Sequence, residues 1–189
     1  VGATPVTMSG NEMLEALAQG VLDCIILSVP DVQNFGMGES VSDITLGAPG
    51  GVYVASLTNV NRDTWQDLSE DERRAVMKGV AKASAVSSWA YQEGQDDVLS
   101  KVAEAGVTVH EADAGVVART AEFAAADREA LVSNYAARGV TRGEEMLAAF
   151  ETLLEKWVGL TQGVTDADAL ADLYWEELYS KVDVASHGN

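Results

Sequence analysis

The sequence predicts a helix-rich α/β fold, and three stretches predict it. The opening, Val1 to Val29, reads as strand, capped helix, strand. A β-branched run over 52–60 (VYVASLTNV) feeds a long amphipathic helix that starts near Glu70. From Ala118 onward the apolar spacing is helical.

In the opening unit, Thr4 to Met8 is a short extended segment. Ser9 and Glu12 have the S-x-x-E spacing of a capping box, in which the Ser hydroxyl takes a free backbone N–H and the Glu reaches back. Apolar residues at 13, 14, 17, 21 and 22 form one helical face, and Gly20 weakens the last turn. Cys24 to Val29 has the length and content of a buried strand. Pro30 then leads into a short helix or loop through Phe35. The Gly-rich pieces FGMG and GAPGG are turns, since neither has the Lys-Ser/Thr of a phosphate loop or the full dinucleotide fingerprint.

Asn61 to Asp67 reads as a connector. Ser69 and Glu72 form a second capping box, and the helix they start extends to about Glu104, with Gly79 and Gly94 as candidate bends. Trp89 and Tyr91 would pack it. Ala105-Gly106 stops it, and Val107 to His110 is a short strand. Past Ala118, one helix ends at Gly139. A second starts at a Thr141/Glu144 capping box and presents Met146, Leu147, Phe150, Leu153, Leu154, Trp157 and Val158 as an internal face. A third is capped by Thr165 and runs to Lys181. Residues 186–189 read as a frayed tail.

Composition narrows the function. The 189 residues carry a net charge of −18, and Arg62 is the first basic residue. Such a surface repels phosphate backbones, so nucleic acid is a poor partner. No apolar run approaches the roughly 20 residues of a membrane span. A single Cys excludes an internal disulfide, and two His exclude a His-rich metal centre. Asp166, Asp168 and Asp172 suit a helix start better than a calcium loop, which needs a central Gly and a distant Glu. Cys24 lies in an apolar strand with no base nearby, and His110 has no adjacent Ser or Cys, so no catalytic constellation is visible. No cofactor motif and no metal site are expected.

The string G-A-T-P-V-T-M-x-x-x-E-x-x-x-A-L-x-x-G-x-x-D, over Gly2 to Asp23, resembles the solute receptors of tripartite ATP-independent periplasmic (TRAP) transporters. Gly2, Pro5, Met8, Glu12, Ala16, Leu17, Gly20 and Asp23 hold the matching positions, and T-W-x-x-L-s-x-e-x-r from Thr64 to Arg73 continues the likeness, which thins after about residue 105. The resemblance implies a periplasmic-binding-protein-like, two-lobed fold (type II-like) with a long hinge helix. Residues 1–52 and 93–163 would belong mostly to the ligand-binding second lobe. Residues 53–92 would supply the hinge strand and helix with part of the first lobe, and 164–189 a C-terminal helix and tail. The chain begins in mid-motif, so it is expected to be the C-terminal part of a longer receptor whose N-terminal half is missing.

The resemblance also implies a function. Such a receptor captures a small organic acid in the periplasm and delivers it to the permease subunits in the membrane, without chemistry on the ligand. The carboxylate-holding Arg of the family lies upstream of Val1. The positions expected to face the ligand are Gly10, Asn11, Ile25, Leu27 and Phe35. Where sugar-acid receptors read G-Q-E-N-P, this chain has Cys24 to Ser28, so an apolar wall replaces hydrogen-bonding groups. An unpaired buried hydroxyl costs about 1–3 kcal/mol, so the expected ligand is a carboxylate with an apolar or aromatic body. Gly10 leaves space where an aromatic often stacks on ligand. Phe35 is either core filler or ligand wall. A stand-alone acidic helical interaction module is the alternative.

Overall fold

The computed structural model describes residues 2–48 and 58–188, apart from the side chain of Glu129. The run expected as a strand over 52–60 lies outside the described residues, except for 58–60, which are irregular and exposed. The chain divides into two compact units. One comprises Val1–Tyr53 and Gly94–Leu147, and the other Val54–Glu93 and Ala148–Asn189.

In the first unit, α1 spans Gly10–Ala18 and α2 spans Asp31–Asn34. The Ser9 N–H donates to the Glu12 carboxylate at 3.3 Å, as the capping box requires. The helix ends before Val21, which is exposed, because the turn at Gly20 takes that residue off the helical face. Thr4 to Met8 and Cys24 to Val29 pair with no strand among the described residues. The latter keeps the alternation of a strand, with Ile25 and Leu27 half-buried and Cys24 and Ile26 exposed. It lacks the ladder that would bury both faces. Cys24 is therefore exposed, and the expectation that it lies in a buried strand is corrected.

The sheet is small and parallel: β1 (Asp43–Leu46) pairs with β2 (Thr108–Glu111), with Ile44 opposite Val109. β1 is absent from the sequence reading, since four residues beside a Gly-rich stretch give little periodicity. Val98, Val102 and Val107 form the unit's core, with Val29, Val32, Val41 and Ile44 packed on them. Two of these valines belong to α4 (Glu70–Glu104), which runs as one helix with no break at Gly79 or Gly94. A Cβ built on Gly94 would meet the Pro30 ring at 3.6 Å, an ordinary van der Waals distance. Gly106 ends α4 at φ +85°, a region that a Cβ disfavours. There the Val107 N–H reaches the Val102 carbonyl at 2.9 Å and the Gly106 N–H reaches Ala103, which satisfies carbonyls the helix leaves free.

Helix α5 (Ala114–Ala136) starts four residues earlier than the sequence periodicity suggests, because Asp113 accepts the Gly115 N–H at 2.8 Å. Gly139 follows its end, as expected, at φ +91°. Phe123 and Tyr135 of α5 are exposed.

The second unit is held from within by Arg73. The expected connector is a helix, α3 (Arg62–Asp67), whose N-cap Asn61 accepts the Asp63 and Thr64 N–H groups at 2.9 and 3.1 Å. Trp65 of α3 is buried against Met77 and Val184, with Trp175, Tyr179 and Val182 packed around them. The buried Arg73 guanidinium donates to the carbonyls of Trp65, Gln66 and Val184, each at 3.0 Å. The Trp65 indole N–H donates to the His187 carbonyl at 2.7 Å. Residues 186–188 of the expected frayed tail are tied to α3 by this bond although they stay exposed, and Val184 just before them is only 2% exposed. The sequence reading underrated it because backbone carbonyls, which every residue has, make the contacts.

Helix α6 (Gly143–Thr161) begins one residue later than a Thr141/Glu144 box would have it. The Arg142 carbonyl takes the first helical N–H, and the Arg142 side chain pairs with Glu145. Helix α7 (Ala167–Glu177) is capped by Asp166, which accepts the Ala169 N–H at 2.8 Å, and not by Thr165. Leu170 and Ala171 pack on Ala85 and Trp89 of α4, whereas Tyr91 is exposed. The expected internal face of α6 is the largest departure. Met146, Phe150, Leu153, Leu154 and Val158 are each more than half exposed.

Replacing Arg73 by Met should destabilise the second unit by about 3 kcal/mol, because three charge-assisted bonds to carbonyls are lost. Removing residues 184–189 should lower stability in the same direction, read by urea denaturation. A loss below about 0.5 kcal/mol for both would mean that the clasp is ornamental.

Candidate functional site

All five positions expected to face a ligand lie in the first unit. Gly10 and Asn11 are the first two residues of α1, and Asn11 is exposed. Ile25 and Leu27 sit half-buried on the same face of the extended segment that follows α1. Phe35 closes α2, also half-buried.

The structure brings two of the five together. A Cβ built on Gly10 would lie 2.9 Å from Cζ of the Phe35 ring and 3.1 Å from Cε1. No side chain fits at that distance without moving the ring. The space expected at Gly10 is therefore occupied by Phe35, and the pair forms a glycine seat for an aromatic ring. Sequence reasoning missed this pairing. Its one available signal was a glycine at the first position of a well-capped helix, where most residues would be accepted. Asp31 was missed as well. It is buried at the start of α2, and its carboxylate accepts the Asn34 side-chain amide at 3.1 Å.

A cavity of about 530 Å³ opens elsewhere in this unit, lined by Val32, Val41, Val98, Val102 and Val107, with Glu39 and Lys101 among its polar residues. None of the five expected positions lines it. Lys101 already pairs with Asp97 at 2.6 Å.

Electrostatics around these elements come from local hydrogen bonds. The Ser9 hydroxyl and N–H hold the Glu12 carboxyl below its ordinary value. The His110 ring, followed by the Ser42 hydroxyl, does the same for Asp43. His110 Nε2 lies 2.8 Å from Asp43 Oδ1, tying β2 to β1 across an exposed edge. Among the described residues no group of three or more His, Cys, Asp or Glu is placed to hold a metal ion. Arg73 is committed to backbone carbonyls of the second unit and is not a carboxylate clamp. What the first unit offers chemically is an apolar and aromatic surface.

The Gly10–Phe35 contact predicts a sign reversal. Gly10→Ala should destabilise the chain by about 1 kcal/mol through overlap with the ring. In a Phe35→Leu background the same change should be neutral or stabilising, because Ala is the better helix former. Urea melts of the four proteins give the coupling. Additivity within about 0.3 kcal/mol would remove the contact.

Comparisons with known proteins meet this geometry at the N-terminal side. The family model described as bacterial extracellular solute-binding protein, family 7, matches residues 1–133. A protein named solute-binding protein from Chromohalobacter salexigens is 24% identical over 113 residues, which are 60% of this chain and 33% of that protein. The matched part thus spans one third of the length of that relative. No solved structure matches. The matched family model covers α1, the extended segment, α2, both strands and α4, and so every one of the five expected positions. The chain belongs to the family 7 bacterial extracellular solute-binding proteins, the solute receptors of TRAP transporters.

Proposed function

We propose that the chain is the ligand-binding part of a TRAP solute receptor that captures a small organic acid in the periplasm and passes it to the membrane permease. The observation that carries this reading is the family match over residues 1–133. The family consists of solute-binding proteins and not of enzymes. Among the described residues no helix is long and apolar enough to cross a membrane.

In this reading the receptor has two lobes and closes on its ligand by a hinge. Residues 1–52 and 93–163 belong mostly to the ligand-binding lobe, 53–92 to the hinge and the other lobe, and 164–189 to a C-terminal helix and tail. Further chain, as an N-terminal half of the same protein, completes the first lobe and brings the carboxylate clamp. Support comes from the length of the Chromohalobacter relative, of which 113 matched residues make up only a third. Closure is a population shift, so the ligand must bind the closed form better than the open one.

Gly10, Asn11, Ile25, Leu27 and Phe35 form the ligand-facing set. The half-burial of Ile25, Leu27 and Phe35 favours an acid with an apolar or aromatic body over a polyhydroxylated one. A stand-alone helical interaction module is the second reading, and the uncovered apolar face of α6 favours it.

Native mass spectrometry of the protein as expressed tests the choice. A carboxylic acid released on activation supports the receptor. With that acid in hand, Leu27→Asn should weaken binding about tenfold in calorimetry, the loss expected when a polar amide meets an apolar ligand body. Unchanged affinity would take residue 27 out of the site. Failure to retain any small acid, after a screen of aliphatic and aromatic carboxylates, would leave the interaction module as the better description.

A further inference from the structure

We propose that Asp31 is a positioning residue: its carboxylate sets the turn of α2 that keeps the Phe35 ring seated on Gly10, and so fixes the shape of the apolar wall offered to a ligand. For the ligand this rests on the receptor reading; for the seat it does not.

Asp31 is only 8% exposed. A carboxylate taken from water is costly unless it is bonded. Its Oδ1 accepts the Asn34 side-chain amide at 3.1 Å, which bridges the first and last residues of α2. Its backbone carbonyl accepts the Phe35 N–H at 3.0 Å. Asp31 therefore grips the end of α2 twice, once through its side chain and once through its main chain. An acid that only complemented the helix dipole would need neither the burial nor the bond to Asn34, since an exposed carboxylate in the first turn does the same.

The support is needed because four residues cannot hold a helix by themselves: the first turn fixes several dihedrals for one hydrogen bond. Pro30, at the N-cap, supplies no side-chain cap. Past Phe35, Gly36 turns the chain at φ +66°, and the Met37 N–H donates to the Val32 carbonyl at 2.7 Å. The Met37 side chain is 1% exposed. Phe35 thus lies between two anchors, Asp31 before it and Met37 after it. The ring has little room, since a Cβ on Gly10 would come within 2.9 Å of Cζ. A small change in the α2 turn is enlarged at the far end of the ring, so a loosened turn unseats it.

Nuclear magnetic resonance of the protein as expressed, labelled with 13C-glycine, tests the seat. The Gly10 Hα signals lie in the ring current of Phe35, so Phe35→Leu should move them. Asp31→Ala should move them most of the way in the same direction. Asp31→Asn, whose amide oxygen still accepts from Asn34, should hold them near their wild-type positions. Asn34→Ala, at an exposed position, removes the donor and should act like Asp31→Ala, which keeps the test decisive where Asp31→Ala folds poorly. A merely structural part for Asp31 would lower stability without moving these signals in the folded protein. Gly10 signals that stay in place in the folded variants overturn the proposal.

Calorimetry with the acid released in native mass spectrometry reads the ligand side. Asp31→Ala should weaken binding about tenfold, and should add nothing in a Phe35→Leu background, because both changes act through one ring. Signals that move while affinity stays would overturn the place of Phe35 in the site and leave the receptor reading intact. Release of no acid would overturn the receptor reading, while the Gly10 signals still decide the seat.

Discussion

The second unit depends on one buried cation. Arg73 places three N–H donors on three carbonyls from two stretches: Trp65 and Gln66 of α3, and Val184 in the tail after α7. A guanidinium suits this task because its donors are fixed in a plane and cannot be deprotonated. The carbonyls in turn make the burial of the charge tolerable, since each supplies part of the solvation that water would give. Trp65 then stacks beneath the guanidinium at 5.6 Å and bonds the tail a second time through His187. Once these contacts form, Met77, Val184 and Trp175 have a wall to pack against.

The first unit is organised by small residues more than by charge. Gly10 admits the Phe35 ring, and Gly106 turns the chain from α4 into β2. A two-stranded parallel sheet has few ladder bonds; its Ile44 packs on the cluster of Val98, Val102 and Val107, while β2 stays exposed.

The sequence was most legible where a local rule fixes the outcome. The capping boxes at Ser9 and Ser69 have the expected partners, and the stops at Gly106 and Gly139 fall where expected. Each needs only a handful of neighbouring residues to be read. What escaped depends on distant partners. Asn61 looked like a connector because a six-residue helix has almost no periodicity. The tail looked frayed because the groups it bonds with are carbonyls, which carry no residue signature. Thr141 and Thr165 each lost the cap to the next residue, an error of one position that spacing alone does not resolve. The apolar face of α6 was read correctly as a face, but periodicity says nothing about what covers it. For the positions expected to face a ligand, the resemblance supplied the residues, and the structure added the one pairing, Gly10 with Phe35, that no spacing rule contains.

The exposed Cys24 has a practical consequence. It is the chain's one cysteine, and it sits next to Ile25. Within these 189 residues a thiol-reactive dye would therefore attach at a single place, beside the expected ligand wall. Because residues 1–61 hold no Lys or Arg, trypsin would leave that dye on a peptide that ends at Arg62 and also carries Gly10, Asn11, Ile25, Leu27 and Phe35. A change of dye emission on adding a solute would report from beside the residues proposed to face the ligand, and the peptide's mass would verify where the dye is.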